Sequence, residues 1–221
     1  MRIGSRFRTI AGVSRVASVV TLAAAACTND QSGYIEQGHG VSLPVPIARP
    51  AFTLSATDGK PFAFGDRTRG KLTFLLFGYT HCPDVCPVHV ANIAEVLRTL
   101  PYAERQRATL VFVTTDPDRD SLPVLRAWLA SFDSTFVGLR GTKPEIDALE
   151  YALQIAPSIR GPSNPDGTYE VGHAAQVIVF QPDDFARTVY PFGVRQAEWA
   201  KDIPKLLGRP PTLIERLTGR S

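Results

Sequence analysis

The sequence predicts an α/β fold with a central mixed sheet flanked by helices and a short hairpin at its N-terminal side. Three observations lead there. Residues 72–77, 110–113 and 177–180 are continuous apolar runs of the length expected for strands buried on both faces. Stretches with apolar residues at helical spacing, such as Ile93, Val96, Leu97 and Leu100, lie between them. Strand and helix therefore alternate, and the series closes on strand, turn, strand and helix.

The composition agrees with that class. In 221 residues, 44% are hydrophobic, 20% charged and 9% aromatic, which excludes a disordered or collagen-like chain and fits one domain with extensions. The net charge of +3 is misleading, because Arg2, Arg6, Arg8 and Arg15 face no acid within residues 1–26. Without those four of the 24 basic residues, 20 remain against 21 acidic ones, a net of −1, so nothing suggests a nucleic-acid partner.

Residues 1–26 read as a cleaved secretory signal: a basic start, an apolar stretch from Val16, and small residues before Cys27. Arg15 keeps the apolar run well short of the about 20 residues a membrane span needs. Leu22-Ala23-Ala24-Ala25-Ala26-Cys27 also resembles a bacterial lipoprotein signal, with Cys27 as the lipidated residue; ordinary cleavage after Ala26 is the alternative. Both readings export the domain to the periplasm. Residues 27–50, rich in Gly, Ser, Gln and Pro, read as a flexible tether that includes His39.

The domain is expected over residues 51–208, with 209–221 as a C-terminal tail. Residues 52–54 and 61–64, joined by Asp58-Gly59, suggest the hairpin. The strand at 72–77 runs into Gly78-Tyr79-Thr80-His81 and two cysteines, and Pro87 suits the first turn of the helix that follows. With the strand at 110–113 this makes a βαβ unit. Ser121 caps a helix at 122–132 with Pro123 in its first turn. A strand at 135–139 leads to Thr142-x-x-Glu145, a capping box before the helix that holds Ile146, Leu149 and Leu153. Residues 156–164 carry two prolines and a glycine and read as a long loop. Pro182-Asp183-Asp184 turns the strand at 177–180 back toward 187–190, and a helix at 196–207 closes the domain. This element order resembles the thioredoxin architecture.

The chain has three cysteines, and only Cys82 and Cys86 fall in the domain. An exported domain of this size gains little from one short-range disulfide, so chemistry is the better reason for the pair. At the N-terminus of a helix, unpaired N–H groups and the positive end of the dipole favour thiolates. Two thiolates at this spacing can hold a soft metal ion, with copper(I) the first-row candidate, or oxidise to a disulfide. Spacing nominates His89 as a third ligand, against the plainer reading of a solvated helical histidine. His81 adjoins Cys82, where neighbouring side chains diverge. His173, at the entrance to a buried strand, reads equally as a structural histidine or a ligand. Asp84 reads as exposed, and Met1 is the only methionine, which leaves no thioether ligand in the domain.

Phe77-Gly78-Tyr79-Thr80-His81-Cys82-Pro83-Asp84-Val85-Cys86-Pro87 resembles the signature of the Sco/SenC family of copper-binding proteins that assist cytochrome c oxidase assembly. Thr114-Thr115-Asp116-Pro117-Asp118-Arg119-Asp120-Ser121 is similar to that family's second motif, and the resemblance runs from Ala51 to about Leu207. It implies a thioredoxin-like fold with copper held by Cys82, Cys86 and a distant histidine. Tyr169-Glu170-Val171-Gly172-His173-Ala174 keeps the Tyr, Val and His of the family pattern, which carries that role to His173. Asp116 resembles a family position near the metal, as a hydrogen-bonding support for a ligand or as a cap of its own Asp-Pro loop.

The function implied is an exported, membrane-associated copper metallochaperone. Its partners would be the copper-bearing subunit of cytochrome c oxidase, a copper donor and a thiol reductant. The alternative is an enzyme, a thiol-disulfide oxidoreductase acting on protein disulfides or peroxide through Cys82 and Cys86. A third reading is a structural disulfide in a tethered interaction domain.

Overall fold

The structure, a computed structural model, describes residues 39–208. The expected signal, Cys27, the first part of the tether and the tail at 209–221 lie outside those residues. In chain order the elements are β1 (Val41–Ala48), β2 (Thr53–Ala56), β3 (Pro61–Ala63), α1 (Phe64–Thr68), β4 (Leu72–Gly78) and α2 (Val85–Thr99). Then come α3 (Tyr102–Arg105), β5 (Ala108–Thr114), α4 (Leu122–Ala130), β6 (Val137–Arg140) and α5 (Lys143–Ala152). β7 (Ile159–Arg160), β8 (Val171–Gly172), β9 (Val177–Phe180), β10 (Phe185–Tyr190) and α6 (Gln196–Leu207) complete the series.

Eight strands form one sheet in the order β1-β10-β9-β4-β5-β6-β2-β3. The expected βαβ unit is there: β4 and β5 pair in parallel, and α2 makes the crossover. β9 runs antiparallel to β4 on its other side, with Leu76 opposite Val177, so the sheet is mixed. The predicted hairpin is β2 and β3, attached to the sheet through β6.

Period-two alternation along the central strands divides the core between the two faces. Phe74, Leu76, Leu110 and Phe112 pack with Ile93 and Leu97 of α2, Leu125 and Leu129 of α4, and Trp199 and Ile203 of α6. Leu75, Phe77, Val111 and Val113 pack on the opposite face with Phe64 of α1 and Ile146 of α5. The sheet thus lies between two apolar layers, and the C-terminal end of β4 meets the start of α2 at the cysteines. None of the helices among the described residues is long and apolar enough to cross a membrane.

Two expectations are corrected. Residues 41–50 are not tether: β1 pairs antiparallel with β10 from Val41 opposite Val189 to Ala48 opposite Phe185, with a register break between Ser42 and Ile47. Pro44 and Pro46 cannot donate to a ladder, and an edge strand with a bulge is where prolines are tolerated. Arg49 follows as a buried clamp. Its Nε donates to Asp184 at 2.7 Å, and its other nitrogens donate to Thr68, Thr73 and the carbonyls of Lys71 and Gln181 at 2.8–3.0 Å. The second correction concerns the long loop after α5, which is partly ordered by β7 pairing with β8. The helices α1 and α3 were also not anticipated, each being a single turn with little periodicity to read.

Candidate metal centre

Three segments meet at the end of β4. Cys82 lies in the turn after the strand, where its N–H donates to the carbonyl of Tyr79 at 3.1 Å. Asp84 caps α2, its side chain accepting from the Val85 N–H at 2.7 Å. That places Cys86 in the first turn of the helix, wholly buried. His173 follows β8, in the short link to β9.

Nε2 of His173 lies 3.7 Å from Sγ of Cys82 and 3.6 Å from Sγ of Cys86. The two sulfurs and that nitrogen all lie within 4.8 Å of one another. The imidazole is oriented from behind: Nδ1–H donates to the carbonyl of Ala174 at 3.0 Å, which turns Nε2 toward the sulfurs. The ring of Tyr79 packs edge-on against the imidazole at 5.6 Å.

The electrostatics separate the two sulfurs. The hydrogen bond from the Cys86 thiol pulls the Cys82 pKa down to about 3, overriding burial, and the His173 side chain and the N–H groups of Cys86 and Asp84 add to it. Cys86 moves upward, because it supplies that hydrogen bond, is buried, and sits beside the Cys82 charge. Burial alone would lower the His173 pKa, but the contacts to Cys82 and the Ala174 carbonyl outweigh it and the net shift is upward. Cys82 is therefore the readier thiolate of the pair and Cys86 the thiol, and the imidazole Nε2 faces both sulfurs. Two sulfur donors and one imidazole, mostly screened from water, suit a soft or borderline cation such as copper and leave zinc short of its usual four ligands.

The other candidates fall elsewhere. His89 is neither solvated nor a ligand: it is buried on α2, with Nε2 3.0 Å from the carbonyl of Ala175. His81 is exposed beside Thr80, and Asp84 is spent on its cap. His39 is not free tether, since its N–H donates to Asp202 on α6 at 2.6 Å. Asp116 lies one step behind Tyr79, linked to it through Arg119. It accepts from the phenol of Tyr169 at 2.9 Å and from Nε of Arg119, and the Arg119 guanidinium lies 3.6 Å above the Tyr169 ring and 5.6 Å from that of Tyr79.

Two residues escaped the sequence reading. Asp120 is fully buried under the cysteine turn, accepting from the Thr80 N–H at 2.9 Å, the Thr80 hydroxyl at 2.5 Å and the Thr114 hydroxyl at 2.6 Å. Gly78 ends β4 directly against the Cys86 sulfur. The signal for Asp120 was an acid placed one residue before the Ser121 cap, too close to a helix start to look buried.

Comparison with known proteins bears on this centre. The family described as SCO1/SenC matches residues 44–208. The chain belongs to the SCO1/SenC family. A SCO1 homolog of mouse mitochondria is 31% identical over 150 residues, covering 67% of this chain and 52% of that protein, so the chain spans about half of that relative's length. The copper-bound structure of ScoI from Bradyrhizobium japonicum shares 30% identity with a TM-score of 0.64, covering 73% of this chain and all of that one. The solution structure of apo Sco1 from Thermus thermophilus gives 25% and 0.68, over 79% of this chain and all of that one. The SCO1/SenC domain here is thioredoxin-like, as the order of its elements predicted.

Proposed function

We propose that this SCO1/SenC protein binds one copper ion through Cys82, Cys86 and His173 and passes it to the copper-bearing subunit of cytochrome c oxidase. The observation that carries the reading is the convergence of two sulfurs and Nε2 within 4.8 Å. Copper is the cargo, arriving from a donor and leaving to an acceptor. The protein's own part is to hold Cys82 as a thiolate, to aim His173 from the Ala174 carbonyl, and to keep Cys86 out of water. The copper-bound ScoI relative supports the choice of metal. A leader of residues 1–26 cleaved after Ala26, with or without a lipid on Cys27, would deliver the domain to the outer face of a membrane, in the periplasm.

The test is the copper-to-protein ratio of the reduced chain, compared with Cys82→Ser/Cys86→Ser and His173→Ala. One copper in the wild type, none in the double variant and weakened binding without the imidazole are expected. Full binding by the double variant would remove the site.

One observation favours a second reading. A low-pKa thiolate beside a thiol is also the arrangement of a dithiol reductant. There Cys82 would attack a protein disulfide, Cys86 would resolve the mixed disulfide, and two electrons would leave a Cys82–Cys86 disulfide and two substrate thiols. His173→Ala separates the two. It should impair oxidase copper-site assembly if delivery is the function, and leave disulfide reduction largely intact if reduction is.

A further inference from the structure

His89 looked like a ligand in the sequence and is not one, yet it is one of the most thoroughly buried polar side chains of the molecule. It stands three residues beyond Cys86, on the same side of α2. Nε2 is 3.0 Å from the carbonyl of Ala175, two residues beyond His173. A carbonyl can only accept, so Nε2 carries the proton; Nδ1 is buried with no partner. The ring is covered edge-on by Phe192 at 5.8 Å. Burial lowers its pKa and keeps the imidazole neutral, with its single proton committed to Ala175.

That bond joins the two halves of the centre. One end is the helix that holds Cys86; the other is the link whose first residue is His173 and whose Ala174 carbonyl orients the imidazole. We propose that His89 is a positioning residue for the metal centre, fixing the His173 segment to the cysteine helix through its hydrogen bond to the Ala175 carbonyl. It touches no donor atom and acts through His173. The inference rests on the reading of Cys82, Cys86 and His173 as a copper site and adds to it a residue that the donor set does not contain.

The discriminating experiment measures copper(I) affinity of the reduced full chain by competition with a chromophoric chelator. His89→Phe keeps the ring and its contact with Phe192 but cannot donate; His89→Gln can place an amide N–H near the position of Nε2. His89→Phe is expected to weaken affinity by about 10- to 100-fold, the range for a lost support of a metal ligand, with His89→Gln restoring most of it. In a His173→Ala background the same His89→Phe change should cost nothing further, because the residue acts through the missing imidazole. Wild-type affinity in His89→Phe, or an equal loss in both backgrounds, overturns the proposal. If His89→Phe does not fold, nitrogen-15 NMR of the wild type decides: a proton on Nε2 supports the bond, and one on Nδ1 overturns it. A wild type that binds no copper overturns the copper reading itself, an outcome distinct from a wild type that binds while His89→Phe binds equally well.

Discussion

The sulfur of Cys86 occupies the space that a side chain on Gly78 would need: a Cβ there would lie 2.3 Å from Sγ and 3.0 Å from Cζ of Phe112. The glycine is required for room. Its φ is ordinary, so no backbone strain enters. Gly78→Ala must push a buried sulfur off its position, at a cost of about 1–3 kcal/mol from overpacking. Urea unfolding should register the loss, and copper titration should show a weaker site. Unchanged copper affinity would mean that Cys86 tolerates displacement.

Selective alkylation tests the electrostatic division of the cysteine pair. With its pKa near 3, Cys82 is a thiolate throughout the mildly acidic range, whereas Cys86 keeps its proton. In the unfolded chain both thiols would hold their protons until about pH 8.5. The depressed Cys82 pKa therefore contributes stability that is complete above the unfolded value and declines as pH falls toward about 3. At about pH 5 iodoacetamide is expected to modify Cys82 and spare Cys86 in the reduced protein, as read by peptide mass mapping. Equal labelling would contradict the assignment.

Oxidation should abolish copper binding. A Cys82–Cys86 disulfide leaves His173 as the one remaining donor of the three, too few for a tight site. Isothermal titration of fully reduced and fully oxidised protein is the measurement, with one tight site expected only in the reduced form. Equal affinities would uncouple metal from redox state.

Asp120→Asn replaces a buried carboxylate that accepts three hydrogen bonds with an amide that offers one acceptor atom and two unwanted protons. Hydrogen bonds to charged groups contribute about 1.5–3 kcal/mol each, and a loss of at least one is expected in urea denaturation. The Thr80–Cys82 turn should loosen with it, raising solvent exchange at the Thr80 amide.

A chain that starts at Ala51 should be much less stable than one that starts at Glu36. It lacks β1 and the Arg49 clamp and leaves Asp184 and the buried Thr68 and Thr73 hydroxyls without their guanidinium partner. Within the longer chain, Arg49→Ala is expected to cost about 1–3 kcal/mol, the range for leaving buried groups such as the Thr68 and Thr73 hydroxyls without a donor, since Asp184 is partly exposed. A midpoint within error of wild type would assign the clamp no weight.

The central strands were legible because each is a short apolar run between clear turn signals, and the helix caps Ser121 and Thr142 stand where the sequence places them. β1 was not, since its side chains are largely exposed and its two prolines mimic a linker; only its pairing to β10 makes it a strand. At the site, spacing along a helix pointed to His89, and only the family resemblance pointed to His173. The reason is that β9 folds back beside β4, a non-local pairing that no local periodicity encodes. Asp120 and Gly78 were hidden for a related reason, as their roles depend on what packs against them from other segments.

The separation of 87 residues between Cys86 and His173 has a temporal side. The dithiol is made early and the imidazole late. While the chain is emerging, whether from the ribosome or across a membrane, the cysteines exist for a time as a bare thiol pair, open to oxidants and to any competing metal. The third donor arrives only after β9 has found β4. On the copper reading, a truncated or stalled chain would lack the third donor and hold the ion only weakly, so that firm retention waits for the finished fold.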